Sequence, residues 1–442
     1  VLFTQEKVSS ELLSTMNDST PQFAETMNIQ TLEWLEKVKT PENTEGLLSL
    51  VKKYSSNYIG FISGIPTISN IKRSRQFFKP NAFHGYSLSK NVATIIQSHP
   101  NSAPDLFVTD SNGVIKNSLE NNLSALELCQ DAKKTSKPII LFFGGSTIMG
   151  DGSMLPEYSI PSQVEKLLLY EFGVQSCCIN FGVSGYSSLD SFNLLNTSII
   201  NDYKPDLILF YDGWNCYNHF STKTLIEKSE KLFNYYGSNS SQGFYSFVHN
   251  HYLEKSYSFF WLTKYLAFLG MVNILSNLIT LFRVDFVKHL LIKVISKIPS
   301  LAGPGYVFNA LKDTYPIDEK SKIRISEESA QIYIAIHKDI EKVCASNQIE
   351  CITCLQPLLF AGSKPPFGRE FQILEDADME GLKTFYKSLN NFFTNHSKRF
   401  NLSSVFNETD AQVYLDTGHL NAYGNFVIAD SLAKTVRQIL NT

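Results

Sequence analysis

The chain has 442 residues, 43% of them hydrophobic and 18% charged, with a formal net charge of −3. That length exceeds the usual single domain and predicts one large domain with an insertion, or two domains, built on a sizeable core. No long block of like charge appears, which argues against nucleic acid as a partner.

Residues 1–137 are mixed and polar. Helical patches are predicted at Ile29–Val38 and Glu45–Tyr54, followed by turn-rich pieces such as Lys79-Pro80-Asn81 and Asp110-Ser111-Asn112-Gly113. The segment reads as an N-terminal extension laid on the main domain, with no chemistry assigned to it.

From Pro138 the texture changes. Ile139–Phe143 is a short apolar run ending in Gly144-Gly145, the pattern of a buried parallel strand. Ile160–Phe172 has helical spacing, Cys177–Phe181 reads as a second strand, Leu189–Ile200 as a second helix and Leu207–Tyr211 as a third strand. The pattern resumes with a helix at Ala330–Ala345, a strand at Glu350–Leu355 and a helix at Leu382–Phe393. It ends with a short apolar stretch at Val413–Leu415 and a closing helix at Ala422–Leu440. Strands and helices alternating at this spacing predict an α/β protein, a parallel sheet covered by helices.

Between the third and fourth strands lies a stretch of another kind. Tyr265–Phe282 carries no charge over 18 residues, the lower edge of membrane-span length, and an amphipathic, lysine-bearing stretch follows. A single crossing would put the flanking motifs on opposite sides of a membrane, and the lysine-bearing stretch is a poor second span. A helical cap over the site is the favoured reading, with a membrane-surface contact through 257–300 as its rival.

The seven cysteines, with Cys177 and Cys178 adjacent, do not read as a disulfide framework. Cys351-x-x-Cys354 has metal-like spacing but no second pair, and on a strand its side chains point to opposite faces. Structural thiols are expected. The chain opens at Val1 without a signal-peptide pattern, which is compatible with a removed leader or anchor. An extracytoplasmic or membrane-associated location is favoured over a cytoplasmic one.

Four segments carry candidate chemistry. Phe143-Gly144-Gly145-Ser146-Thr147-Ile148-Met149-Gly150 follows the first strand, and its glycines allow a sharp turn that exposes a serine at the sheet's carboxyl edge. Gly145 and Gly150 have the glycine spacing of a phosphate loop, but Asp151 stands where the phosphate-binding lysine belongs. Asn180-Phe181-Gly182-Val183-Ser184-Gly185-Tyr186 follows the second strand, and Tyr211-Asp212-Gly213-Trp214-Asn215 the third, bringing an amide donor to the same edge. In Asp416-Thr417-Gly418-His419, the Asp can accept from one ring nitrogen while the other faces the serine. The remaining histidines, His99 and His337 among them, are read as structural or solvated.

In this order the four segments resemble the SGNH (GDSL-like) hydrolase superfamily, over roughly Ile139 to Leu440 apart from the insertion. The resemblance implies a three-layer α/β/α sandwich with a parallel, flavodoxin-like sheet. That domain would span 138–442, interrupted by a mostly helical apolar insertion at about 218–325. It also implies Ser146 as nucleophile, His419 as base and Asp416 as its orienter. The oxyanion hole would be formed by the N–H groups of Ser146 and Gly185 and the Asn215 amide. No metal or organic cofactor is implied.

Two departures stand out: Gly145 occupies the place where the family often has Asp, and Cys216 follows Asn215 where Asp is usual. The implied activity is hydrolysis of acyl esters, of glycans or lipids. Acyl transfer to a cell-surface glycan through the same site is the alternative. A binding protein that kept the fold without the chemistry is a third reading.

Overall fold

The computed structural model describes residues 28–39, 46–54, 57–63, 68–81, 84–99, 102–228, 319–375, 379–394 and 396–440. Most of the predicted insertion, including the apolar stretch within 257–300, lies outside them.

The N-terminal region carries short strands as well as helices. Helices α1 (Ile29–Lys39) and α2 (Leu47–Tyr54) precede strand β1 (Tyr58–Ser63), helix α3 (Ile68–Phe77) and the hairpin of β2 (Phe78–Asn81) and β3 (Gly85–Leu88). Strand β4 (Ala93–Gln97) pairs parallel with β1 and antiparallel with β5 (Asp105–Val108), making a small second sheet. These strands are only four to six residues long. That explains why alternation failed to mark them in the sequence. The turn after β5 is organised by Asp110: one carboxylate oxygen accepts the N–H groups of Asn112 and Val114, at 2.8 and 2.9 Å. The other accepts the N–H of Ala125 at 2.6 Å. Ala125 opens helix α4 (Ala125–Lys134), whose start is closed by a capping box between Ser124 and Glu127.

The main sheet follows. Strand β6 (Ile139–Gly144) leads through the one-turn helix α5 (Ser146–Met149) to helix α6 (Ile160–Phe172) and strand β7 (Cys177–Asn180). The next helix is broken where continuous periodicity predicted Leu189–Ile200. It runs as α7 (Ser188–Leu194), a π-helical turn at Leu195–Ile199 and α8 (Ile200–Tyr203). Thr197 departs from helical backbone with ψ of −160°, and its hydroxyl donates to the Leu194 carbonyl at 2.6 Å. A threonine side chain that bonds back to the preceding turn competes with the helical ladder. Strand β8 (Leu207–Asp212), helix α9 (Trp214–Lys228), helix α10 (Glu319–Ser346) and strand β9 (Glu350–Leu355) come next. Helices α11 (Glu370–Glu375) and α12 (Glu380–Phe393), strand β10 (Arg399–Asn401) and helix α13 (Ala422–Leu440) complete the order.

All pairings in the five-stranded sheet are parallel, in the order β10-β9-β8-β6-β7. Counted within the sheet this is 2-1-3-4-5, the flavodoxin-like doubly wound order, whose switch point lies between the first and third strands. Successive side chains of β6 divide between two faces. Ile140 and Phe142 pack with α1, α6 and α13, whereas Ile139, Leu141 and Phe143 pack with α4, the π-helical turn and α10. Cys351 and Cys354 fall on opposite faces in the same way, and all seven cysteines are buried free thiols. A third apolar cluster joins α9, α10 and α12 over Leu355. The α/β sandwich expected from the sequence is therefore present. The outer edge of β7 is partly covered by a bridge from Ile115 to Asn180. Among the described residues no helix is long and apolar enough to cross a membrane.

Candidate active site

The switch point puts the carboxyl ends of β6 and β8 side by side, with Gly144 paired to Tyr211. Ser146 follows β6 at once, on the first residue of α5, a helix stopped by Gly150 in the left-handed conformation (φ 111°). Asn215 follows β8 in the first turn of α9. The loop between β10 and α13 returns over this edge, tied by the Leu415 and Asn421 N–H groups to the His419 and Val413 carbonyls, at 2.9 Å each. Glu370 secures the same loop from outside. Its carboxylate is fully buried, accepts the N–H groups of Val413 and Tyr414 at 2.9 Å, and pairs with the buried Lys364 at 2.5 Å.

These elements bring Ser146, Asn215, Asp416 and His419 to one cleft of about 50 Å³, with Tyr211, Trp214, Gln356 and Gly418 among its other walls. Ser146 Oγ is 2.6 Å from His419 Nε2, and His419 Nδ1 is 2.7 Å from Asp416 Oδ2. Asp416 Oδ1 accepts the N–H groups of Gly418 and His419, at 2.8 and 2.7 Å, so one short loop holds both acid and imidazole. Asn215 Nδ2 donates to the Tyr186 carbonyl at 3.0 Å, and its second amide hydrogen remains for the cleft. Gly185 is not among the cleft-lining residues. It occupies the neighbouring turn, with φ of 83°, beside the Tyr186 that anchors Asn215.

Gly145 explains the first departure from the family pattern. Its φ of −84° lies outside the left-handed region, and a Cβ built there would overlap Asn215 Nδ2 and lie 3.2 Å from the Tyr186 carbonyl oxygen. The position is glycine because Asn215 crosses directly over it. Cys216 is fully buried, with its thiol against Ser188: Sγ accepts the Ser188 N–H at 3.2 Å.

The electrostatics favour a charged Asp416 and a basic imidazole. Burial would raise the Asp416 pKa, but His419 and the two loop N–H groups hold it well below the usual carboxylate range. Burial would lower the pKa of His419, but Asp416, then Asp151 and Asp105, carry it up to about 9.

Four residues at the site were given no role in its chemistry by the sequence reading. His99, read there as structural or solvated, lies with its ring tilted against His419 at 4.9 Å between centroids, with Nδ1 3.7 Å from Asp416 Oδ2. Burial first, and His419 second, lower its pKa. Asp151 Oδ2 lies 3.9 Å from His419 Nε2. Asp105, fully buried on β5, accepts the N–H groups of Gly152 and Met154 at 3.0 and 2.7 Å. Burial and the nearby Asp151 push its pKa well above the ordinary value. Gln356 donates to the Gly418 carbonyl at 2.9 Å and to the Thr147 hydroxyl at 3.2 Å, joining the serine turn to the histidine loop.

Asp151 and Gln356 carried a usable signal, a polar residue at the carboxyl edge of a strand or in the turn beyond it. His99 and Asp105 carried none, since they come from a region with no recognisable motif. Among the described residues, donor atoms of His99, Asp416 and His419 also lie within 4.8 Å of one another, close enough to consider a cation. The 2.7 Å bond between His419 Nδ1 and Asp416 Oδ2 already engages two of the three, as in a hydrogen-bonded relay.

No family model matches the chain, and no curated protein is similar to it. The chain is similar to the crystal structure of an acetyl xylan esterase, AlAXEase, at 13% sequence identity and a TM-score of 0.33. The alignment covers 67% of this chain and 99% of that one. A likeness of that size carries no argument about activity.

Proposed function

We propose that the protein is a serine esterase acting on O-acyl esters through Ser146, His419 and Asp416. The observation that carries the reading is the unbroken line of short contacts: Ser146 Oγ to His419 Nε2 at 2.6 Å and His419 Nδ1 to Asp416 Oδ2 at 2.7 Å. In the proposed reaction His419 takes the serine proton at Nε2 as Oγ attacks the ester carbonyl. The Ser146 N–H and the Asn215 amide hold the developing oxyanion, each such donor being worth roughly a hundred- to a thousand-fold in rate. The role of the Gly185 N–H rests on the family resemblance alone. Collapse expels the alcohol, which receives the proton from His419, and leaves acyl-Ser146. Water, deprotonated by His419, then releases the acid and restores the serine.

The substrate proposed is an acyl ester; a glycan or a lipid as its carrier rests on the sequence reading alone. Labelling with a fluorophosphonate probe, alongside hydrolysis of p-nitrophenyl acetate and a long-chain analogue, tests the reading. Wild-type protein should label and turn over, and Ser146→Ala should do neither. A folded wild type that neither labels nor turns over would sink the proposal. Labelling with acyl-enzyme that water does not clear would redirect it to acyl transfer, because the two reactions differ in what reaches the acyl-enzyme.

A further inference from the structure

Two carboxylates lie within 4 Å of the His419 ring nitrogens, and the chemistry above uses only Asp416. The second, Asp151, approaches the opposite end of the ring: Oδ2 is 3.9 Å from Nε2, the nitrogen that receives the serine proton. Asp151 is 5% exposed, and two contacts fix it. Its N–H donates to the Ser146 carbonyl at 3.0 Å, and its Oδ1 accepts the hydroxyl of Ser98 at 2.8 Å. Ser98 follows β4 in the N-terminal region, so a part of the chain far from the motifs aims this carboxylate.

We propose that Asp151 is a positioning residue for His419: it stabilises the imidazolium formed at Nε2 and thereby strengthens the base, with Ser98 holding it in register. Its catalytic consequence rests on the esterase reading, whereas the pairing of Asp151 with His419 does not.

The distance makes the effect selective for one protonation state. At 3.9 Å the carboxylate is beyond hydrogen-bond reach and does not compete with Ser146, whose Oγ is 2.6 Å from the same nitrogen. Once Nε2 is protonated, a full positive charge faces Asp151 in a poorly solvated site. An opposite charge at such a distance typically moves a pKa by about 1–3 units. Interactions stronger in the charged state than in the resting one are those that accelerate a reaction. Three other titratable groups face the ring. Asp416 on its own loop binds Nδ1, Asp105 on β5 acts in the same direction, and the His99 ring lies tilted against that of His419 with 4.9 Å between centroids. Of these carboxylates, Asp151 is the one directed at Nε2.

The test is a titration of His419 by NMR in protein labelled with 15N-histidine, comparing wild type, Asp151→Asn, Asp151→Glu and Ser98→Ala. The pH dependence of kcat/KM for p-nitrophenyl acetate is measured beside it. Asp151→Asn should lower the His419 pKa from about 9 by one unit or more and move the rise of kcat/KM to lower pH by the same amount. Its plateau rate should fall about tenfold or more, as expected for a weaker base. Ser98→Ala should shift the titration less, in the same direction, and Asp151→Glu should restore part of it. A folded Asp151→Asn or Ser98→Ala protein whose His419 titrates as in wild type would overturn the proposal. If wild-type protein fails to label with fluorophosphonate, the esterase reading falls, while the NMR titration still decides the role of Asp151.

Discussion

Gly145→Ala probes the packing that places Asn215, the proposed oxyanion donor. The φ at 145 is −84°, outside the left-handed region. The obstacle is the Asn215 amide, which a Cβ would overlap. Asn215 can escape only by rotating away, which breaks its 3.0 Å bond to the Tyr186 carbonyl and withdraws the second amide hydrogen from the cleft. The expected loss is that of one oxyanion donor, about a hundred- to a thousand-fold in kcat. Overpacking a tight site adds a stability cost of about 1–3 kcal/mol. The assay is p-nitrophenyl acetate hydrolysis with a thermal melt, run as a cycle with Asn215→Ala. With Asn215 removed the overlap goes and only the 3.2 Å approach to the Tyr186 carbonyl is left, so Gly145→Ala should cost much less in both measurements, a marked non-additivity. Wild-type turnover in Gly145→Ala, or equal losses in both backgrounds, would refute the argument that the glycine exists for Asn215.

Asp416→Asn should leave the fold intact and reduce turnover by about three to four orders of magnitude, by the precedent of triads whose acid is replaced by amide; initial rates across a range of enzyme concentrations measure it. Hydrolysis should rise with pH as His419 loses its proton near 9, because only the neutral ring accepts from Ser146; a pH profile that is flat between 6 and 10 would contradict this. The raised pKa of His419 contributes stability that is fully present below the unfolded histidine value of about 6.5 and lost as pH climbs through 9. The depressed pKa of Asp416 contributes stability present above its unfolded value and lost on acidification. Melting temperatures of wild type and His419→Ala should therefore converge at alkaline pH. Lys364→Met leaves the fully buried Glu370 without its cation and should destabilise the protein by roughly 3–5 kcal/mol, read by denaturant unfolding.

The sequence by itself determined the parts whose cause is local. Strands β6, β7, β8 and β9 were legible because a buried parallel strand is a short apolar run closed by glycine or proline, and both faces need covering. The Asp416 and His419 pair was legible for the same reason, since three residues of one loop carry both partners and the backbone N–H groups that orient them. Even the alternation that sent Cys351 and Cys354 to opposite faces followed from the period of a strand.

What the tertiary structure alone decided involves residues far apart along the chain. Ser98 and His99 just after β4, and Asp105 on β5, reach the site from a stretch whose sequence carries neither periodicity nor motif, and their meaning appears only once β4 and β5 pack against the loop after Ser146. Gly145 reads as a turn glycine, yet its φ is not left-handed. Asn215, 70 residues away on the neighbouring strand end, takes the space where a side chain would go. Periodicity fixes which way a residue faces within its own element, whereas the distances that set charge, hydrogen bonding and exclusion at this site arise only when separate elements meet.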